Sequence, residues 1–348
     1  MTKKLSTQAP GQQWMTITDL AKLAGVSVST VSRALADNPL IAKQTREKIQ
    51  RIAHSTGFSV NPNASSLRSK QSKIVSVIIA LVHEKNQPLH DPFWMTMLAH
   101  LAEALTDAGY EMLLTKMAVH QDGWIERIRK VQRPAGIIVV GQSREHDSIE
   151  RAAQSGCPIV VWGAKLDRQS YPTVGTDNFG GGRIAARHLI GLGYRRIAFL
   201  GDITLPEIAQ RYQGYRSALA EAGIAVDELL VVPSGFHPAH AFEAAVGLIA
   251  GPARFDAIMA SSDVIAISAI RALNAAGRAV PDDVGVVGFD DIAMAAFNNP
   301  PLTTVRQDFS EGARLLVQNM ASVIAGQAVA SIEMPSLLIE RQSTRRVA

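Results

Sequence analysis

Ser27, Val28, Ser29, Thr30, Ser32 and Arg33 form a short run of hydroxyl and aliphatic side chains closed by a guanidinium. Side chains this small let a backbone approach phosphates and base edges, and an arginine can bond either a phosphate or the acceptor pair of a guanine. The chemistry is that of reading duplex DNA. A helix is what must hold these residues. Ser27 is a good N-cap, and Val31, Ala34 and Leu35 recur at helical spacing for burial. Ser29, Thr30, Ser32 and Arg33 are left on or beside the outer face. Val28 and Ser29, at the N-terminal end of that helix, are the residues expected to read bases.

Upstream, Thr16 and Asp19 stand three apart like a capping box, before the apolar set Ile17, Leu20, Ala21 and Leu23 and a stop at Gly25. Two short helices with a glycine in the turn spell helix-turn-helix, with Thr16 and Ser27 as further candidate contacts to DNA. A third helix is expected over Lys43 to Ser55, turning Ile49, Ile52 and Ala53 inward and Lys43, Arg46, Lys48 and Arg51 toward solvent or phosphate. Charge follows the same division. Residues 1–73 hold 11 Lys+Arg against 3 Asp+Glu, and the remainder holds 24 against 28. One end facing an anionic polymer would produce this asymmetry, as would a solvated basic tail.

The string T-I-T-D-L-A-K-L-A-G-V-S-V-S-T-V-S-R-A-L, followed by T-R-E-K-I, resembles the DNA-binding domain of the LacI/GalR family of transcriptional regulators. The likeness continues from Phe58 through Ser-Val-Asn-Pro-Asn-Ala-Ser-Ser-Leu-Arg, similar to the family's hinge helix, with a departure at Val60, where many members have proline. Asn61 as cap and Pro62 in the first turn give that helix a physical start. The resemblance implies that Leu67 is a wedge levered into the minor groove and that Ala64 permits close approach. It also implies a homodimer on a near-palindromic double-stranded operator.

Beyond residue 73, short apolar runs alternate with helical stretches: 74–81, 111–115, 136–140, 158–162, 196–201, 228–232, 256–261, 284–290 and 303–308. β-Branched runs at that spacing imply α/β layers with parallel sheets. The segment V-G-T-D-N-F-G-G-G-R is similar to the family's passage between two halves of a sensor resembling periplasmic sugar-binding proteins. The expected fold is therefore an N-terminal all-α helix-turn-helix domain and hinge helix, followed by a two-lobed α/β sensor. The expected boundaries are a disordered leader at 1–13, a helix-turn-helix domain at 14–60, and a hinge and linker at 61–73. An effector-binding and dimerisation domain then fills 74–348, with one lobe from about 74–177 and 307–333 and the other from about 178–306 and 334–348. The glycines after Asn178 lack the order of a dinucleotide fingerprint and are expected to let helices pack closely.

A sugar site needs fixed polar partners for hydroxyls and a flat apolar surface for the C–H face of a ring. By resemblance, Arg211 and Asp290 are the polar clamps, Phe93 and Trp94 lie over the ligand, and Phe236, Ser262 and Asp263 complete the site. Ser262 stands where relatives often carry asparagine. The effector expected is a mono- or disaccharide, and Gly163 stands where some relatives offer an acidic contact, leaving room for a larger effector such as a disaccharide. A purine effector, or a corepressor in place of an inducer, would use the same parts.

Neither a nucleophile-elbow nor a phosphate-loop motif occurs, and the nine histidines show no metal-ligand spacing. No enzymatic activity, metal or cofactor is expected. No apolar run reaches the roughly 18 residues of a membrane helix. The lone Cys157 and the absence of an apolar stretch after the two N-terminal lysines fit a cytoplasmic protein.

Overall fold

The computed structural model describes residues 15–56, 58, 72–79, 91–116 and 123–347. The chain divides into two compact units, residues 1–72 and 73–348.

In the first unit, α1 (Ile17–Ala24), α2 (Val28–Leu35) and α3 (Lys43–Ser55) close around Leu20, Ala21, Ala24, Val31, Ala34, Ile49 and Ala53. Leu20 and Ile49 are fully buried, and burial of such side chains stabilises by about 2–3 kcal/mol each. The capping box is present: the backbone N–H of Thr16 donates to Asp19 Oδ2 at 3.0 Å and that of Asp19 donates to Thr16 Oγ1 at 3.3 Å. Gly25 ends α1 at φ +71°, where a side chain would be strained. Leu23, expected inside, is 56% exposed. The buried stripe runs through Leu20, Ala21 and Ala24 and leaves Leu23 beyond its margin.

The second unit holds two six-stranded sheets. The first has the order β11-β5-β4-β3-β1-β2 and is parallel throughout. Its strands are β1 (Ile74–Ile79), β2 (Glu111–Lys116), β3 (Gly136–Val140), β4 (Ile159–Trp162), β5 (Thr173–Thr176) and β11 (Ile332–Met334). Helices α4 (Pro92–Asp107) and α12 (Phe309–Ile324) cover one face, and α5 (Trp124–Gln132) and α6 (His146–Gln154) the other. The second sheet has the order β12-β10-β9-β8-β6-β7, with only β12 antiparallel. It contains β6 (Ile197–Leu200), β7 (Val231–Val232), β8 (Ala257–Ala260), β9 (Gly285–Asp290), β10 (Thr303–Arg306) and β12 (Leu337–Ile339). Here α7 (Asn178–Gly191) and α8 (Pro206–Glu221) pack on one face, and α9 (Pro238–Ala250) and α10 (Asp263–Ala275) on the other. A short helix, α11 (Ala293–Phe297), follows β9. The chain passes between these lobes after Thr176, after Arg306 and after Met334. No helix among the described residues is long and apolar enough to cross a membrane.

Three strands, β5, β11 and β12, were not expected. β11 and β12 have only three residues each, and β5 reads Thr-Val-Gly-Thr, so none forms a distinct apolar run. In the run 228–232, Asp227 caps a 3₁₀ turn over Glu228–Leu230, so only the last two residues pair as strand. The glycine-rich start of α7 does what small residues permit. A Cβ on Gly182 would lie 2.0 Å from the backbone oxygen of Arg211, and one on Gly214 of α8 would lie 2.1 Å from that of Phe179. Backbone thus packs on backbone, bringing Asn178 and Arg211 together. Cys157 is buried just before β4, and burial pushes its thiol up to about 11.

Candidate ligand cleft and nucleic-acid interface

On the first unit, Ser27 Oγ accepts the Thr30 N–H at 3.1 Å and shares hydrogen bonds with the hydroxyls of Ser29, at 2.9 Å, and Thr30, at 2.8 Å. This cluster fixes the start of α2. Ser29 and Arg33 are exposed, whereas Val28 is half-buried and packs partly on the core. The Thr16 hydroxyl is committed to Asp19 Oδ2 at 2.6 Å, so its place is at the helix start. Of the four basic residues expected to face outward, Lys48 donates to the Ala24 carbonyl at 3.1 Å and Arg46 pairs with Asp37 at 3.4 Å. Asn61, Ala64 and Leu67 lie outside the described residues.

In the second unit, the C-terminal ends of both sheets face a cavity between the lobes, as in open α/β sheets generally. It spans about 740 Å³, counting the open solvent at its mouth. Phe93, Trp94, Arg211, Phe236, Ser262 and Asp290 all line it.

Arg211 reaches the cavity from α8. Its Nε donates to Asn178 Oδ1 at 2.8 Å and its Nη1 to the Ser261 carbonyl at 2.5 Å, while its guanidinium lies 3.7 Å from the centre of the Phe289 ring. A buried guanidinium held at two points presents a fixed donor to a ligand. Asp290 ends β9, and its Oδ1 accepts from Gln307 Nε2 at 2.7 Å. Gln307 in turn accepts from the Thr176 hydroxyl at 2.9 Å, which ties two interlobe crossings to the carboxylate. Burial pushes Asp290 up to about 7, partly offset by Arg211 and Gln307. Asp290 and Asp291 adopt φ of +120° and +58°. Such backbone persists where surroundings over-determine it, and here Arg306 and Arg341 hold Asp291 at 2.7 and 2.6 Å.

The apolar wall is aromatic. Phe93 meets Trp94 edge-on at 4.7 Å and Phe309 at 5.4 Å. Trp94 stands over Gly141, where a Cβ would come within 3.1 Å of the indole. Such rings offer a flat face to sugar C–H groups or to a base.

Asp263 is corrected from ligand contact to support. It lies beneath the cavity, fully buried, with Oδ1 accepting from the Thr304 hydroxyl at 2.5 Å and Oδ2 from the Ile292 N–H at 2.9 Å. Burial and the charge of Asp290 hold its carboxyl well above the usual range. Ser262 does line the cavity, and its hydroxyl also caps α10 by accepting from Ile265.

Trp162, Asn178, Glu207 and Gln307 line the cavity too and were not anticipated there. Asn178 and Gln307 sit at the expected lobe crossings, and crossings necessarily form the back wall of an interlobe cleft. Trp162 ends an expected strand, so the strand-end rule could have found it. Glu207 carried no comparable signal. No cluster of three or more metal-ligating side chains occurs among the described residues.

Comparison with known proteins accords with both halves. A family model described as bacterial regulatory proteins, lacI family, matches residues 16–61, and a periplasmic binding protein-like domain matches residues 186–344. The chain is 34% identical over 320 residues to the HTH-type transcriptional regulator CelR of Thermobifida fusca, covering 88% of this chain and 92% of that protein. A solved CelR–cellobiose complex is similar with a TM-score of 0.71 and 30% identity over 94% of this chain and 99% of that one. The Lac repressor dimer bound to operator and the anti-inducer ONPF shares the fold, with a TM-score of 0.82 at 23% identity over 96% of this chain and 100% of that one. The chain belongs to the LacI family of DNA-binding transcriptional regulators.

Proposed function

We propose that this regulator is a repressor of carbohydrate-metabolism genes whose grip on DNA is set by a sugar of mono- or disaccharide size bound between the lobes. The observation that carries the reading is the fixed donor of Arg211 and the acceptor of Asp290 in one aromatic-walled cavity. Asn178 and Gln307 add neutral groups of the kind that pair with hydroxyls. The similarity to CelR, solved with cellobiose, supports a disaccharide.

The chain works as a cytoplasmic homodimer, two α2 helices on a near-palindromic operator and two hinge segments carrying Asn61, Ala64 and Leu67 at its centre. Ser29, Arg33 and the exposed edges of Thr30 and Ser32 meet the DNA. A sugar that fits one interlobe arrangement better than another shifts the population of the DNA-binding form. Repression with release by the sugar is the sign we assign. No catalytic role is assigned.

The test is a thermal-shift screen of the purified chain against mono- and disaccharides, polyols and purines, since a ligand of the folded unit raises its melting temperature. A sugar that raises it in the wild type and not in Arg211→Ala supports the reading. A response to purines alone overturns the sugar.

A further inference from the structure

The charges around the cavity are unbalanced. Among the described residues that line it, Asp91, Glu207 and Asp290 are acidic and Arg211 is the one base. Strand ends in this fold lead into helix starts, and helix N-termini ordinarily attract phosphate through free N–H groups and the helix dipole. Here the chain's own side chains occupy those positions. Asp91 accepts from the Phe93 N–H at the start of α4, Asp177 from Gly180 at the start of α7, and Ser262 from Ile265 at the start of α10.

The start of α8 has no side-chain cap, and Glu207 in its first turn places a carboxyl at the positive end of that helix. Its carboxyl crosses to the other lobe, where Oε1 accepts the Gln142 N–H at 3.4 Å, just beyond the end of β3. A phosphate in this cavity would find three helix starts capped by the chain's own side chains and a carboxyl already at the fourth.

We propose that the cavity takes an uncharged ligand and rejects phosphorylated ones, with Glu207 the specificity-determining residue. The proposal rests on the cavity being the effector site. It narrows the sugar effector to unphosphorylated sugars. Facing one guanidinium, the cavity's carboxyls either repel a dianion while ionised or must take up protons to admit it, and both weaken its binding.

The experiment is isothermal titration of the full chain with matched pairs: cellobiose and cellobiose phosphate, glucose and glucose phosphate, inosine and inosine monophosphate. The neutral member of the pair that binds is expected to be tighter by on the order of 100-fold. Glu207→Gln, which keeps the shape and removes the charge, should narrow that ratio by about tenfold, whichever way the neutral affinity moves. A phosphorylated member that binds as tightly as its partner overturns the proposal. So does an unchanged ratio in a Glu207→Gln protein whose melting temperature matches the wild type. If inosine alone binds and excludes its phosphate, the charge preference stands and the sugar reading falls.

Discussion

Asp290 carries the sharpest consequence of the cleft geometry. Burial raises its carboxyl to about 7, against the opposing pull of Arg211 and Gln307 and with the charge of Asp91 adding to the rise. Asp263, buried beneath it, is the further carboxyl that bears on it, and Glu207 lines the same cavity. Sugar hydroxyls donating to this carboxyl favour its ionised form, so affinity should rise with pH. If only the carboxylate binds, the apparent affinity is reduced by the protonated fraction, which gives about a tenfold gain between pH 6 and 8. In the unliganded unit the sign is opposite for stability. The folded state holds this proton more tightly than the unfolded chain does, so the contribution is present in full below about pH 4 and is lost as the pH rises through about 7. Calorimetric titration of the bound sugar across this range measures the first effect. Asp290→Asn should bind more weakly with a flat profile. A flat profile in the wild type would refute the assignment of the ligand's hydroxyls to Asp290.

Gly182→Ala would push a methyl against the Arg211 carbonyl, and overpacking of this kind costs about 1–3 kcal/mol. Urea unfolding should show the loss, accompanied by weaker sugar binding as α8 shifts. Asp263→Ala would strip partners from the Thr304 hydroxyl and the Ile292 N–H. A melting temperature lowered by several degrees is expected, in line with about 1–3 kcal/mol per buried group left unpaired. In the DNA-binding unit, Ser27→Ala removes the cap of α2 and should destabilise that unit by about 1 kcal/mol, seen by circular dichroism of the isolated transition. Ser29→Ala should leave that transition in place and weaken binding to a selected operator more than to random DNA. Equal losses on both duplexes would remove Ser29 from base reading.

The DNA-binding unit was legible nearly residue by residue, because caps, a glycine stop and a short apolar period are local signals. Thr16, Ser27 and Gly25 sit at the helix ends where those signals put them. The sheets were legible as apolar runs, except at the three-residue β11 and β12 and at β5, whose Thr-Val-Gly-Thr is half polar. In the cleft, six of the seven anticipated residues reach the cavity. Asp263 does not, because the first turn of a helix can point a carboxylate back at the neighbouring strand as readily as into the opening. Glu207 could not be read from spacing at all. Its partner, Gln142, lies on the other lobe 65 positions away, and a contact of that range has no local trace.

The most direct test of the account is operator binding with and without the sugar. An operator duplex selected from a random pool would be titrated with the full chain, by fluorescence anisotropy, in the absence and presence of saturating ligand from the thermal screen. The account predicts that the sugar weakens operator binding by at least tenfold in the wild type, and that Arg211→Ala binds the operator normally and ignores the sugar. A sugar response of the same size in Arg211→Ala would contradict it, since the cleft would then not be where the signal begins.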